Sequence, residues 1–136
     1  MDDEEYDSAL DEPPTLPTLD EFIAQARAKD WPNNSYVAEP RLRELYVRLT
    51  HFRGCETLEI GRVLAEEPGK GAFRALVARL RAQCPTLPIF VENVLSRRFA
   101  RGLRRLKFKQ EDRSKNPSFV WDPSGRYETW LKPGES

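Results

Sequence analysis

Gly69 and Gly71 stand where the chain changes its period. Before them, within residues 57–64, Leu58, Ile60 and Leu64 fall on one side, the alternation of a half-buried strand. After them, Phe73, Leu76, Val77 and Leu80 recur at i, i+3, i+4 and i+7, one apolar stripe on a helix. A strand that becomes a helix through glycines presents the bare N–H groups of the first helical turn. The helix dipole adds partial positive charge there, so the place suits an anion such as a phosphate. Lys70 and Arg74 add side-chain cations to the same turn. The spacing is not that of a Walker loop, since Gly71 rather than Ser or Thr follows Lys70, nor that of the dinucleotide fingerprint, since Arg74 takes the third glycine's place. The plain alternative is a helix-opening turn whose glycines serve packing alone.

A second constellation follows. Arg97, Arg98, Arg101, Arg104, Arg105, Lys107 and Lys109 occur with no acid in residues 95–109, while Leu95, Phe99, Leu103 and Leu106 form an opposite apolar stripe. Like charges at i, i+3 and i+4 repel by a few tenths of a kcal/mol per pair, and an anionic partner relieves that repulsion. Nucleic acid suits, because each neutralised phosphate releases counterions; an acidic protein is the other candidate, and a solvated face the plain one.

The elements that must position these groups are legible in outline. Thr18-Leu19-Asp20-Glu21 is a capping box and predicts a helix start, with Leu19, Phe22, Ile23 and Ala26 as its apolar face and residues 31–34 as its end. A short strand is expected over residues 35–39. In residues 44–52, Leu45, Val47 and Leu49 alternate with Tyr46, Arg48, Thr50 and Phe52, and a turn at residues 53–55 folds this strand antiparallel onto residues 57–64. Residues 87–93 read as a short buried strand, 95–106 as the basic helix, and 107–110, 118–121 and 126–131 as further strands, with a turn at 122–125. Trp121, Tyr127 and Trp130 fit sheet packing.

From Glu66-Glu67-Pro68-Gly69-Lys70-Gly71 through Val91 to Phe108 the chain resembles the GNAT superfamily of N-acetyltransferases. That family places Gln/Arg-x-x-Gly-x-Gly/Ala between a strand and a long helix, followed by a short strand and a helix ending in Gly-Phe. The run Val91-Glu92-Asn93-Val94-Leu95 into Arg97-Arg98-Phe99 looks most like small GNAT-like proteins of bacteriophages. The resemblance implies an α/β (α+β) single domain over residues 18–132, with a mixed, mostly antiparallel sheet flanked by helices. It implies acetyl-CoA as co-substrate and a primary amine as acceptor. The pyrophosphate would lie on the backbone of Gly69, Lys70, Gly71, Ala72 and Phe73, with Lys70 and Arg74 beside it and Arg98 or Arg101 as further phosphate partners. The pantetheine arm would pair with the backbone of Arg62, Val63 and Leu64. Ser96 falls at a frequent Asn position of the family. Glu59 and Glu92 are the implied candidates for the general base, with His51 next, and each has an alternative as an ion-paired carboxylate or a hairpin-tip histidine. Glu66 stands where the family has Gln or Arg, Lys107 where it has Gly, and Leu103 where a Tyr often protonates the departing thiolate. A protein that keeps the fold without efficient catalysis, and binds nucleic acid or an acidic protein through residues 97–109, is the implied rival.

A chain of 136 residues supports one modest core, and 39% hydrophobic with 10% aromatic residues makes it globular. Cys55 and Cys84 lack metal or redox spacing and fit a reducing compartment, so no metal site is expected. No apolar run reaches membrane-spanning length, and the acidic start is the opposite of a signal peptide, so a cytoplasmic protein is expected. The formal net charge of zero is unevenly distributed: residues 1–21 hold nine acids and no Lys or Arg, so the 22 basic residues face the remaining 13 acids, a balance of +9. Such a body expects anionic ligands. Residues 1–17, acidic and proline-rich, are expected to be a disordered tail, and residues 133–136 a second short one.

Overall fold

The computed structural model describes residues 15–29, 33–52 and 55–123. Residues 1–14 of the tail expected over 1–17, residues 31 and 32 of the expected end of the first helix, the turn at residues 53 and 54, and the final strand and tail beyond residue 123 lie outside the described residues. The first helix itself ends earlier than expected, at Arg27 with Ala28 as its C-cap. Pro17, by contrast, is already tied down, its carbonyl accepting the Ala38 N–H at 2.8 Å.

Helix α1 (Leu19–Arg27) begins as its sequence dictates: the Thr18 hydroxyl accepts the Glu21 N–H at 3.1 Å and the Glu21 carboxylate accepts the Thr18 N–H at 2.9 Å. Leu19, Phe22 and Ile23 are buried from it. Glu39, itself buried, fastens this end from afar. Its carboxylate accepts the Leu19 N–H at 3.0 Å and pairs with Arg79, so two orphan polar groups are satisfied by one side chain.

The sheet has six strands in the order β1 (Asn34–Tyr36), β2 (Leu42–Phe52), β3 (Cys55–Ala65), β4 (Ile89–Val91), β6 (Phe119–Trp121) and β5 (Lys109–Gln110). Every pairing is antiparallel except β3 with β4. With helices α2 (Ala72–Gln83) and α3 (Arg97–Arg105) the described residues form a mixed α+β domain around one core cluster, as the alternation and stripes predict. Leu45, Val47, Leu49, Leu58, Ile60, Ile89 and Val91 supply the buried side of the sheet, and Leu76, Val77 and Leu80 that of α2. Full burial of each large aliphatic side chain contributes about 1.5–3 kcal/mol.

Two expectations are corrected. Leu64 does not share a face with Leu58 and Ile60: Tyr46 pairs with Arg62 while Val47 pairs with Ile60, so Gly61 is an extra residue and the strand bulges there. The bulge resets the alternation, sending Val63 against the core and leaving Leu64 38% exposed. Leu95 is not part of the helical stripe: the helix starts after Ser96, and Leu95 precedes that cap at 77% exposure. Ala100 and Leu103 are the residues α3 buries.

The helix α3 ends by a route its sequence does not advertise. Lys107 takes a left-handed φ of 73°, and the Phe108 N–H bonds back to the Leu103 carbonyl at 3.0 Å. Phe108 is thereby buried, and Arg81 of α2 lies over its ring and that of Trp121, 5.5 and 4.3 Å from their centroids, while donating to the Leu106 carbonyl. Desolvation in this packed position lowers the Arg81 pKa from its ordinary value.

Candidate functional site

The bulge and the parallel pair create the site. β3 meets β4 only at Leu58, Glu59 and Ile60, opposite Ile89, Phe90 and Val91, with the Glu92 N–H donating to the Ile60 carbonyl at 3.2 Å as the last link. Beyond it β3 continues to Ala65 paired with β2 alone among the described residues. The backbone of Arg62, Val63 and Leu64 therefore borders a gap without a strand on its β4 side.

At the end of that gap the chain turns through residues 66–71 into α2. Gly69 and Gly71 both hold left-handed φ values, 84° and 82°, which L side chains rarely adopt. Gly71 is the N-cap of α2 and offers no side-chain acceptor to the first-turn N–H groups; Ala72 and Phe73 open the helix, and no acid occupies its first turn. Cations gather instead. A Cβ placed on Gly69 would stand 2.8 Å from Arg98 Nη2, and one on Gly71 would stand 3.4 Å from Arg74 Nη2. Arg41 holds both ends of the turn, its carbonyl accepting the Glu66 N–H at 3.0 Å and its guanidinium donating to the Lys70 carbonyl at 3.2 Å. Glu66 is exposed. Phe73 meets Phe99 edge to face, centroids 5.0 Å apart, which packs the start of α3 beside the start of α2 and brings Arg98 to Gly69. Sequence reasoning missed Arg41, 29 residues from its partner Lys70, because no local signal marks such a contact.

The outer face of the sheet carries the second cluster. Arg48 on β2 is opposite Glu59 on β3 and donates to it through Nε at 3.2 Å; the same guanidinium pairs with Glu92 just after β4. Thr50 donates to the other Glu59 oxygen at 2.8 Å. Both candidate carboxylates are thus brought to one arginine, and the ion-paired alternative open at the sequence level describes them. Gly61 lies against this group, where a Cβ would come 3.1 Å from Glu92 Oε1 and 3.2 Å from the Tyr46 ring. The rings of Tyr46 and Tyr36 stand 5.0 Å apart, and Arg48 lies 5.7 Å over Tyr46. Glu44 accepts from Arg62 at 2.7 Å on the same face, and that hydrogen bond pushes the already high Arg62 pKa upward.

His51 is not brought there. It is exposed at the far end of the hairpin opposite Glu56, and strand alternation turns it to the opposite face from Arg48. Glu56 itself is occupied by Arg27, whose Nε donates to Oε1 at 3.0 Å. Ser96 serves as the N-cap of α3, its hydroxyl accepting the Phe99 N–H at 3.1 Å. Leu103 is 0% exposed, a core residue without chemistry. Among the described residues no group of His, Cys, Asp and Glu could hold a metal ion, Cys55 and Cys84 are free, and no helix is long and apolar enough to cross a membrane. Set against family models, curated proteins and solved structures, the chain finds no match in any of the three comparisons.

Proposed function

We propose that this protein is a GNAT-like acyl-CoA-dependent N-acyltransferase that moves an acetyl group from acetyl-CoA to a primary amine. The observation that carries the reading is the parting of the parallel strands after Ile60 and Val91 beside a glycine-opened helix start that has cations and no first-turn acid. A pantetheine arm, which carries amide groups, fits the unpaired edge at Arg62, Val63 and Leu64 as an added strand would. A pyrophosphate fits the N–H groups of Gly71, Ala72 and Phe73, with Lys70, Arg74 and Arg98 for charge. The left-handed φ of Lys107 supports the same reading, because it reproduces the turn for which the family uses glycine.

In the proposed reaction the amine nitrogen attacks the thioester carbonyl carbon, the C–S bond breaks, and CoA leaves as thiolate. The amine's proton passes to Glu92 or Glu59 directly or through a water. Two carboxylates on one guanidinium let either turn toward the amine while the other keeps Arg48 paired. No residue takes the family's tyrosine role at Leu103, so the thiolate is protonated by solvent, and we expect slow turnover.

The lack of a proton-donating side chain at the buried Leu103 favours a second reading, a fold-retaining binding protein with little catalysis. Calorimetric titration with acetyl-CoA tests the first. Binding that is lost in Gly71→Glu, whose carboxylate would take the pyrophosphate's place, supports it; no heat from the wild-type protein at millimolar ligand overturns it.

A further inference from the structure

Of the nine arginines elsewhere in the described residues, four pair with acids, Arg27 with Glu56, Arg48 with Glu59 and Glu92, Arg62 with Glu44 and Arg79 with Glu39, and Arg41 and Arg81 donate to backbone carbonyls. Helix α3 breaks that habit. Arg98 is turned to Gly69, and Arg104 is engaged by Gln110 Oε1 at 2.9 Å and the Phe119 ring at 5.2 Å. Arg97, Arg101 and Arg105 are exposed and have no partner among the described residues. Successive members of this row are four residues apart and therefore lie on one ridge, about 6 Å between neighbours along the axis.

We propose that this ridge binds the phosphodiester backbone of single-stranded nucleic acid. Three guanidinium groups at that step match successive phosphates of one strand, each able to make bidentate charge-assisted bonds. The repulsion between neighbouring arginines, uncompensated by any acid on α3, is relieved when phosphates arrive. A single row of three cations meets the phosphates of one strand, whereas a duplex presents two backbones across a groove, so a flexible strand laid along the row is the better occupant. Leu95, 77% exposed just before the ridge, offers an apolar surface to an unstacked base. Arg98, not this row, is the α3 arginine turned to Gly69, and the inference does not rest on the acyltransferase reading.

The test is fluorescence anisotropy of the full chain with a labelled twelve-nucleotide oligothymidine, from 50 to 200 mM salt. Three phosphate contacts on a single strand give a log–log salt slope of roughly −2, a loss of roughly fifteenfold over that fourfold rise. The triple variant Arg97→Ala, Arg101→Ala, Arg105→Ala is expected to bind more than tenfold more weakly at 50 mM and to flatten the slope. A control that removes the same charge elsewhere, Lys29→Ala, Arg43→Ala, Lys115→Ala, is expected to stay within twofold of wild type. Absence of binding at 50 mM overturns the proposal, as does an equal loss in the control, which would mean attraction by net charge alone. Tighter binding of a duplex of the same length overturns the single-strand assignment. Acetyl-CoA titration of the double variant Arg97→Ala, Arg105→Ala, which spares Arg101, separates the two sites: its cofactor affinity should be unchanged whichever way the oligonucleotide result falls.

Discussion

Replacing Gly102 by Ala should make the protein more stable. Gly102 lies inside α3, and a Cβ built on it meets nothing within 4 Å. In a helix interior Ala is favoured over Gly by about 0.8–1.0 kcal/mol, partly because the unfolded chain loses freedom. With no clash to subtract, the whole increment should survive, a rise in Tm of roughly 3–5 °C for a domain of this size. Thermal and urea unfolding at low and high salt provide the assay. Salt should raise the baseline stability by screening the arginines of α3, yet the difference between Gly102→Ala and wild type should stay constant, because it is conformational rather than electrostatic. A neutral or destabilising substitution would refute the reasoning, since it would mean that this side of α3 is covered.

The opposite sign is expected for Gly69→Ala, where a left-handed φ costs a side chain about 1–2 kcal/mol and the new methyl displaces Arg98; urea unfolding should show the loss and calorimetry weaker acetyl-CoA binding. Glu39→Ala should destabilise by about 2 kcal/mol in urea, because the buried Leu19 N–H loses its acceptor and Arg79 its partner, although Arg79 can turn to water. Glu92→Gln or Glu59→Gln should slow acetylation of an amine and change its pH profile while leaving acetyl-CoA affinity nearly intact; unaltered profiles in both would remove them as bases. Arg27→Met should lose no more than about 1 kcal/mol, since this pair is partly exposed. Its hydrogen bond to Glu56 raises the Arg27 pKa, so the contribution is complete below the ordinary arginine value and fades only above it; unfolding at pH 6 and pH 10 should show the same difference between the Arg27→Met variant and wild type.

Local signals in the sequence were reliable where local chemistry decides. The Thr18 to Glu21 capping box, the alternation of Leu45, Val47 and Leu49, and the stripe at Leu76, Val77 and Leu80 each describe contacts within a few residues, and the fold realises them. The bulge at Gly61 had a signal in the sequence, since a glycine inside a strand often marks one, but only the register against Tyr46 and Val47 places the extra residue. Leu95 fitted a stripe that the Ser96 cap cuts off, a case in which a short polar side chain outranks apolar spacing. Of the candidate site, the glycines and the two carboxylates were legible. The resemblance offers Arg98 and Arg101 as alternatives, and the structure turns Arg98 to Gly69. Arg41 and Arg48 were not legible as partners, because their contacts join residues 11 to 44 positions apart. The left-handed Lys107 was hidden too, since its residue type does not suggest that conformation.

The central claim is that acyl-CoA lies along the free edge of β3 with its phosphates at the start of α2. Amide hydrogen exchange, measured with and without acetyl-CoA, tests this place by place. Saturating ligand should slow exchange in residues 62–64 and 69–73 and leave the hairpin end around His51 and Glu56 unchanged. Unchanged exchange in both of those stretches under saturating acetyl-CoA, or protection confined to other parts of the chain, would contradict it.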